Sequence, residues 1–502
     1  MQELSSPKSI VWTLAASDSS GGAGIQADVK TYFDLGVHSF NVVTALTAQN
    51  SQGVVAIEAS STAIVRAQLQ ALADDLPPQA IKLGVLPNVD IVEVIAQQLV
   101  SLEDPFVIFD PVLSPTLGLS FVDTSAQAAF SQLFPFIDLL TPNIPEAEIL
   151  TGMTITDCHT QQQAAEKLLS MGVKGVLIKG GHGATDWCQD LLMLNRPVTP
   201  DGASSFWLSQ PKHSTPHTHG TGCTLSSAIA AFIARAKPLR DAVVLANAYI
   251  NKGIKVATAL DAAGKKRGAV AQTGWPNNLS DFPQVSHTPQ AINRPPMPAC
   301  DAMSLGLYPV VDSIEWLQKL LPLGVKTIQL RVKNLPDTEL ETIIAKAAQL
   351  GRDYHARLFI NDYWQLAIKH NAYGVHLGQE DMADADVEAI RAAGLHLGIS
   401  THGEYEFSYA ATFKPSYLAI GAIFPTDTKE VVEVGLDNLY DWSAVLQEYY
   451  PLVAIGGINK NNIQPVLKSG VGSIAVVSAI TRVADYQAAV AELDQLIHSD
   501  NR

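Results

Sequence analysis

A glycine-rich turn with a cysteine at its far end is the first place in this chain where the residue types suggest chemistry. Gly220, Gly222 and Cys223 lie in "THGTGCT" (218–224), directly before the helical stretch "LSSAIAAFIARA". Consecutive backbone N–H groups at a helix N-terminus bind anions, so a phosphoryl group undergoing transfer could bind here. The same groups and the helix dipole favour a thiolate at Cys223. The alternative is a small buried cysteine in a tight turn.

A second glycine-rich turn lies near the start of the chain, in "SDSSGGAGIQAD" (17–28), after one predicted strand and before a helix. Its glycines nearly fit a dinucleotide-binding fingerprint, which expects an acidic residue about 20 positions later. The next predicted strand, "NVVTALTAQN", ends instead in Gln49 and Asn50. The missing acid counts against nicotinamide binding.

In the second half of the chain, charged and amide side chains gather where predicted strands end. "QLRVK" places Gln329, Arg331 and Lys333 on one face of a strand, since side chains alternate with a period of two. One amide and two cations together suit a heteroaromatic ring joined to a polyphosphate.

Two carboxylates follow on the next two predicted strands. "FIND" ends in Asn361 and Asp362, and "VHLGQED" supplies Asp381. Two carboxylates from adjacent units are enough for Mg²⁺, which keeps water and phosphate as its other ligands. Taken singly, each is also explained as a surface ion pair or a capping aspartate.

Phosphate-binding loops are expected after the last three strands of this half. "FPTDTK" supplies Thr426, Thr428 and Lys429, while "GGI" (456–458) and "VVSAI" (476–480) supply backbone N–H groups. The usual phosphate position in a (β/α)₈ barrel follows strands seven and eight. A turn glycine with no ligand is the alternative for each loop alone.

The order of predicted elements divides the chain into two α/β domains. Strand-like runs such as "IVWTLAA", "FVIFDPV", "LLTPN" and "GVLIKGG" alternate with helices over 8–286, which predicts a mostly parallel, doubly wound sheet. Residues 287–303 are rich in proline without periodicity and are interpreted as a linker. Eight strand candidates over 304–498 predict a C-terminal (β/α)₈ TIM barrel.

Composition excludes several other classes of protein. The 502 residues are 47% hydrophobic and 16% charged, which is typical of a globular protein. A net charge of −16 without a Lys/Arg-rich run argues against nucleic acid or an anionic membrane as partner. Four cysteines without a CxxC pair indicate a reducing cytoplasm. No run approaches the roughly 18 apolar residues of a membrane span, so we expect a soluble, cytoplasmic protein.

The chain up to about residue 285 resembles the hydroxymethylpyrimidine/phosphomethylpyrimidine kinases of the ribokinase-like superfamily. The resemblance is carried, in order, by "GGAGIQAD", "TALTAQN", "IKLGVL", "DPV", "TPNIPEAE", "IKGGH" and "THGTGCTLSSAIAA". It implies ATP as co-substrate, Mg²⁺, and a cysteine where most of the superfamily has an aspartate base. Family members usually have glycine in place of Ala16 and methionine in place of Val85, and the stretch 112–123 also departs from the family. Pyridoxine kinase is the nearest alternative.

The resemblance also implies roles for single residues. Cys223 would accept the hydroxyl proton beside an anion hole formed by the N–H groups of residues 220–223. Gln49 would hydrogen-bond the aminopyrimidine edge, and Asp28 would contact the hydroxymethyl side of the substrate. The residues implied around the nucleotide phosphates and Mg²⁺ are Asp110, Asn143, Glu146 and Lys179. The histidines at 182, 213, 217 and 219 lack the spacing of a zinc site.

Residues 304 to 498 resemble thiamine-phosphate synthases along their full length. The resemblance is carried by "GLYPVVD", "QLRVK", "RLFINDYWQLAIKH", "YGVHLGQED", "LGISTH", "FPTDTK", "VAIGGI" and "GSIAVVSAI". It implies condensation of hydroxymethylpyrimidine diphosphate with thiazole phosphate and release of pyrophosphate. A thiazole tautomerase of the same fold is the alternative.

The second resemblance assigns roles too. Arg331, Lys333 and Lys429 would stabilise the leaving pyrophosphate, with Mg²⁺ on Asp362 and Asp381. The implied substrate-binding residues are Gln329 and Ser400 for the pyrimidine end, Thr426 and Thr428 for the thiazole side, and Gly457 and Ser478 for the thiazole phosphate. Asn361 and Val477 are implied to bind substrate as well.

Together the two resemblances imply successive steps of thiamine biosynthesis, in which the first domain makes the diphosphate that the second consumes. The partners would be small molecules, and because both families commonly self-associate, a homo-oligomer is expected. Two alternatives stay open: a vitamin B6 kinase fused to a tautomerase, and a half that only binds pyrimidine and regulates the other.

Overall fold

The computed structural model describes residues 9–50, 53–113, 121–181, 186–261, 267–289, 292–333, 335–426 and 433–499. The chain forms two units, Met1–Pro276 with Ser280–Ala291, and Asn277–Leu279 with Ile292–Arg502. The second unit therefore takes up most of the stretch that the sequence assigns to a linker.

The first unit is built on one sheet, whose ten strands in the described residues have the order β10-β9-β8-β7-β6-β5-β4-β1-β2-β3. From β7 to β2 every neighbouring pair is parallel, and the strands outside these are antiparallel. The strands are β1 (Ile10–Asp18), β2 (His38–Asn50), β3 (Gly53–Ala59), β4 (Ala80–Leu83), β5 (Phe106–Phe109), β6 (Leu139–Leu140), β7 (Gly175–Ile178), β8 (Trp187–Leu194), β9 (Ser205–Pro211) and β10 (Gln284–Ser286).

Helices pack on this sheet because its central strands are buried along their whole length, as in β4 and β7. The helices are α1 (Gly24–Asp34), α2 (Thr62–Ala73), α3 (Val89–Ser101), α4 (Thr124–Ala129), α5 (Ile144–Thr151), α6 (Cys158–Ser170), α7 (Thr221–Ala234) and α8 (Leu239–Val256). The glycine turns open α1 and α7, and the doubly wound α/β fold expected from the alternation is confirmed.

The second unit is a closed barrel of eight parallel strands, β11 to β18 in sequence order. All eight strand candidates from the sequence form strands of this barrel. They are β11 (Gly306–Val311), β12 (Thr327–Leu330), β13 (Arg357–Asn361), β14 (Gly374–Leu377), β15 (His396–Thr401), β16 (Tyr417–Ile420), β17 (Leu452–Ile455) and β18 (Ser473–Val476).

Helices between these strands complete the TIM barrel. They are α9 (Ile314–Leu320), α10 (Asp337–Asp353), α11 (Trp364–Lys369), α12 (Val387–Ala392), α13 (Glu404–Ala411), α14 (Gly435–Leu446), α15 (Ile463–Leu467), α16 (Ser478–Thr481) and α17 (Tyr486–Ser499). Within the described ranges, no helix combines the length and apolarity needed to cross a membrane.

Residues 292–303, which we call the strap, pack on the barrel. The Met297 N–H donates to the Lys414 carbonyl at 2.9 Å, and the Ser416 hydroxyl donates to the Pro298 carbonyl at 2.7 Å. Met297 is 3% exposed. Residues 292–303, which the sequence assigns to a linker, therefore pack against the second unit.

Candidate active sites

In the first unit, a cavity of about 490 Å³ opens where the two glycine turns meet. Nearly all of the residues that the kinase resemblance singles out line this cavity. They are Gln49, Asp110, Asn143, Glu146, Lys179, Gly220, Gly222 and Cys223. Ala16 and Val85, where the sequence departs from the family, line it as well.

The two turns fit together because neither has room for a side chain at the contact. Gly220 has a φ of 80°, and a Cβ there would lie 1.9 Å from the Gly22 carbonyl oxygen. A Cβ on Gly22 would in turn lie 2.3 Å from Cδ2 of His219, in the second turn. Gly220 is also the N-cap of α7, so the first N–H groups of α7 belong to the cavity wall.

Cys223 lies in the first turn of α7, but the structure does not favour a thiolate there. Burial raises the pKa of its thiol to about 11; Lys82 acts to lower it, while Asp28 and Asp110 raise it further. Removal from water therefore favours the neutral thiol. The thiolate that the helix N-terminus predicts at Cys223 stays a prediction, and its buried environment acts against it.

Asp28 is paired inside the fold and does not line the cavity. Its carboxylate forms an ion pair of 2.9 Å with Lys82, and both side chains are fully buried. It also accepts hydrogen bonds from the hydroxyls of Thr13 and Ser227, each at 2.6 Å. In this structure the ion-pair partner Lys82, rather than Asp28 itself, lines the cavity. The contact between Asp28 and the substrate stays a prediction.

The opposite side of the glycine turn carries a cation between carboxylates. Lys179 Nζ lies 2.8 Å from Asp110 Oδ1, and a Cβ on Gly222 would lie 3.3 Å from that same Nζ. Burial raises the pKa of Glu146 to about 7; Lys179 lowers it and Asp110 raises it further. Asn143 and Glu146 form a capping box at the start of α5. Carboxylates beside a lysine suit a metal-bound polyphosphate.

Asp18 and His219 line the same cavity and were not singled out from the sequence as site residues. The Asp18 carboxylate accepts from the Ala23 N–H at 2.8 Å and lies 3.1 Å from His219 Nε2. Burial acts to raise its pKa, but hydrogen bonds from His219 and Ser20 lower the pKa to about 2. His219 Nε2 also lies 3.3 Å from the amide nitrogen of Gln49. The sequence signal that could have identified Asp18 and His219 as site residues is their position inside the two glycine-rich segments.

The other histidines of this domain have structural partners. His213 Nε2 lies 2.5 Å from Asn251, and His217 Nδ1 accepts from the Gly268 N–H at 2.9 Å. His182 lies outside the described residues. Over the described part of the chain, no group of three or more His, Cys, Asp or Glu side chains could by itself hold a metal ion.

In the second unit, the residues of "QLRVK" leave the strand earlier than expected. β12 ends at Leu330, so only Gln329 lies in the strand, buried inside the barrel. Arg331 is half-buried and Lys333 exposed in the segment that follows. The prediction that all three share one face of a strand is therefore wrong, although Lys333 still reaches Asp362 at 2.7 Å.

The two predicted metal-binding carboxylates are neighbours. Asp362 follows β13 directly, and the pKa of Asp381 is raised, first by burial and then by the nearby Asp362. The Gly378 N–H donates to Asp381 at 3.2 Å. Two carboxylates and Lys333 together fit a divalent cation with a polyphosphate, and for any metal the remaining ligands must come from substrate and water.

The remaining predicted residues of this unit lie after the carboxyl ends of its strands or at their last positions. Asn361 and Ser400 are near the ends of β13 and β15, Gly457 follows β17, and Val477 and Ser478 follow β18. Gly457 packs against the loop after β16, since its Cβ would lie 2.6 Å from the Pro425 carbonyl oxygen. Thr426 ends the described part of that loop, and Thr428 and Lys429 lie outside the described residues.

The fold and the two sites define a pair of joined α/β transferases, a ribokinase-like domain followed by a TIM barrel. The family model for phosphomethylpyrimidine kinase matches residues 18–270, and that for thiamine monophosphate synthase matches residues 307–480. The chain therefore belongs to the phosphomethylpyrimidine kinase family in its first half and to the thiamine monophosphate synthase family in its second. Its activities are those of two transferases of thiamine biosynthesis.

Individual proteins are similar to each half. The second half is 55% identical over 202 residues to thiamine-phosphate synthase from Citrobacter koseri (40% of this chain, 95% of the relative) and 58% identical over 195 residues to that from Serratia proteamaculans (38% and 92%). Among solved structures, phosphomethylpyrimidine kinase from Clostridium difficile is 35% identical, covering 49% of this chain and 100% of its own, with a TM-score of 0.43. Pyridoxal kinase from Bacillus subtilis, solved with ADP, is 32% identical (51% and 95%, TM-score 0.45).

Proposed function

We propose that the first unit transfers the γ-phosphoryl group of ATP twice, first to 4-amino-5-hydroxymethyl-2-methylpyrimidine and then to its monophosphate, and that the second unit joins the resulting diphosphate to thiazole phosphate. The observation that carries the kinase step is the common cavity of the anion-binding turn at Gly220, the Asp110–Lys179 pair and Gln49. The second step rests on the contact of Lys333 with Asp362 beside Asp381. Self-association and a cytoplasmic location, both implied by the sequence, belong to the same proposal.

In the kinase step, the N–H groups from Gly220 to Cys223 stabilise the transferring phosphoryl group, and Lys179 stabilises the polyphosphate. The bond from the alcohol oxygen to phosphorus forms as the bond to ADP breaks, and the alcohol proton goes to the thiolate of Cys223. Because the thiol has a pKa of about 11, that thiolate is a minor species at pH 7. The second transfer has an ionised phosphate as acceptor and needs no such base.

Carboxylates are the ligands that would hold Mg²⁺: Asp110 and Glu146 on the kinase side, and Asp362 with Asp381 in the barrel. Bound there, Mg²⁺ supplies positive charge to polyphosphate oxygens. In the barrel, Arg331 and Lys333 stabilise the pyrophosphate as it leaves. Gln329 and Ser400 hold the pyrimidine, whose ring amino group stabilises the methyl cation until the thiazole nitrogen captures it.

One coupled reaction tests the proposal. Purified full-length protein is mixed with Mg·ATP, the hydroxymethylpyrimidine and thiazole phosphate, and thiamine phosphate is measured. We expect product, and we expect none from Gly222→Asp with Cys223→Ala or from Asp362→Ala with Asp381→Ala. If product forms only when the pyrimidine diphosphate is supplied, the kinase assignment is wrong. Phosphorylation of pyridoxine by the same protein would then identify the first unit as a vitamin B6 kinase. If no product forms even then, the synthase assignment is wrong.

A further inference from the structure

Five side chains inside the barrel form one continuous hydrogen-bond chain. Gln329 Nε2 donates to the Tyr308 hydroxyl at 3.4 Å, and that hydroxyl lies 2.8 Å from the Tyr417 hydroxyl. The Tyr417 hydroxyl lies 2.7 Å from His376 Nδ1, and His376 Nε2 lies 2.8 Å from the Ser400 hydroxyl. The chain thus joins β12, β11, β16, β14 and β15 across the interior of the barrel.

The barrel is built to hold this chain. Tyr308 and Tyr417 are 1% and 0% exposed, and their rings pack with Phe359 in an apolar cluster. A Cβ on Gly398 would lie 2.1 Å from the Tyr417 ring, so this glycine provides the space for the phenol. Burying a hydroxyl without a partner costs about 1–3 kcal/mol, which a phenylalanine at either position would avoid.

One direction through the chain uses each hydroxyl hydrogen once. In this direction Gln329 donates to Tyr308, Tyr308 donates to Tyr417, and Tyr417 donates to His376 Nδ1. His376 then carries its proton on Nε2 and donates to Ser400. This order leaves a donor, the Ser400 hydroxyl hydrogen, at one end and an acceptor, Gln329 Oε1, at the other. An aminopyrimidine edge presents the complementary pair, a ring nitrogen and an amino group.

We propose that Tyr308, Tyr417 and His376 are positioning residues that couple Gln329 to Ser400, so that the two pyrimidine-binding groups present one acceptor and one donor together. The inference rests on the proposed assignment of Gln329 and Ser400 to the pyrimidine. The three residues touch no substrate; they fix the orientation of the amide and the hydroxyl. If the chain only provided hydrogen-bond partners for buried hydroxyls, substitutions in it would change the stability of the protein but not its KM for the pyrimidine diphosphate.

Removing the middle hydroxyl tests this in the full-length protein, with pyrimidine diphosphate and thiazole phosphate supplied directly. Tyr417→Phe keeps the ring and is expected to raise KM for the pyrimidine diphosphate about tenfold, with KM for thiazole phosphate changed less than about twofold. Tyr308→Phe removes the hydroxyl that joins Gln329 to Tyr417, and we expect it to raise KM for the pyrimidine diphosphate in the same way. Tyr373→Phe is the matched control, since Tyr373 also packs on Phe359 but lies outside the chain, and should leave both constants unchanged.

Coupling is measured with a mutant cycle of Gln329→Ala and Ser400→Ala. In the wild-type background, we expect the fold-loss in kcat/KM of the double variant to be at least about fivefold smaller than the product of the two single fold-losses. In the Tyr417→Phe background, we expect the fold-loss of the double variant to equal that product. The proposal would be overturned if the two fold-losses in kcat/KM multiplied in both backgrounds. It would also be overturned if the coupling between Gln329 and Ser400 persisted in the Tyr417→Phe background. Tyr417→Phe and Tyr308→Phe variants that lose only thermal stability would overturn it too.

The cycle also separates this proposal from the function on which it rests. If Gln329→Ala and Ser400→Ala each leave KM for the pyrimidine diphosphate unchanged while the wild-type protein makes thiamine phosphate, the pyrimidine lies elsewhere, and the positioning role falls with that assignment. If the wild-type protein makes no thiamine phosphate from the two supplied substrates, the synthase function itself is wrong.

Discussion

At the scale of single residues, the two oxygens of Asp28 are occupied by Lys82, Thr13 and Ser227 inside the first unit. Asp28→Asn leaves the Lys82 ammonium without its anionic partner where water does not reach. We expect a loss of about 3–5 kcal/mol in the free energy of unfolding, because an unpaired buried charge keeps its desolvation cost. Urea unfolding, followed through the loss of kinase activity, measures it.

Adding Lys82→Met to Asp28→Asn should recover much of that stability, since both charges are then gone. The opposite pattern is informative: an Asp28→Asn protein as stable as the wild type, but with a raised KM for the hydroxymethylpyrimidine, would show that Asp28 does contact the substrate.

Cys223 gives a prediction about pH. With a thiol pKa of about 11, the thiolate fraction rises about tenfold for each pH unit below that value, so kcat/KM for the hydroxymethyl substrate should rise from pH 7 to pH 9 without a plateau. The monophosphate is already ionised, so its rate should lack this slope. Profiles for both acceptors measure the difference. Cys223→Ala should remove the slope and slow the first transfer much more than the second; equal losses would contradict the thiolate base.

Which side chains meet at the first site was predictable from sequence, but their environment was not. The glycine turns, Gln49, Asp110 and Lys179 lie in local patterns that fix their place at the ends of strands and the start of a helix. Whether Asp28 faces the cavity or the core depends on Lys82, which comes 54 positions later. The burial that raises the pKa of the Cys223 thiol was not predictable for the same reason, because burial depends on the whole fold, whereas a helix N-terminus depends only on neighbouring residues.

At the scale of elements, the strap is an outer part of the barrel, and Met297 is its most deeply buried apolar side chain among the described residues. We expect Met297→Ala to lower the stability of the second unit by about 2–5 kcal/mol, as for other buried methionines. Met303 in the same segment is 54% exposed, so Met303→Ala is the matched control and should change little. Thermal unfolding followed by synthase activity compares them. Equal stability of both variants would mean that the Met297 side chain does not stabilise the second unit.

The sequence predicted all eight barrel strands because each is a short apolar run whose pattern is local. It missed the strap because residues 292–303 have no periodicity and are held by backbone groups, such as the Met297 N–H and the Pro298 carbonyl. The period-two pattern also predicted that the strand at "QLRVK" continues through Lys333, whereas β12 ends at Leu330. Buried and more exposed side chains still alternate after the last residue that pairs with a neighbouring strand. The alternation of side chains therefore does not show where a strand ends.

At the scale of the whole molecule, one chain carries two activities whose intermediate is a small diphosphate, and covalent linkage alone raises local concentration only modestly. We therefore expect complementation in trans. Full-length Gly222→Asp with Cys223→Ala, mixed with full-length Asp362→Ala with Asp381→Ala, should make thiamine phosphate from the hydroxymethylpyrimidine, Mg·ATP and thiazole phosphate after a lag in which the diphosphate accumulates in solution. Doubling both proteins should shorten the lag, and an enzyme that destroys free diphosphate should abolish the product. If the wild-type chain makes product in the presence of that enzyme while the mixture does not, the diphosphate passes within one chain, and the two activities are coupled by more than shared stoichiometry.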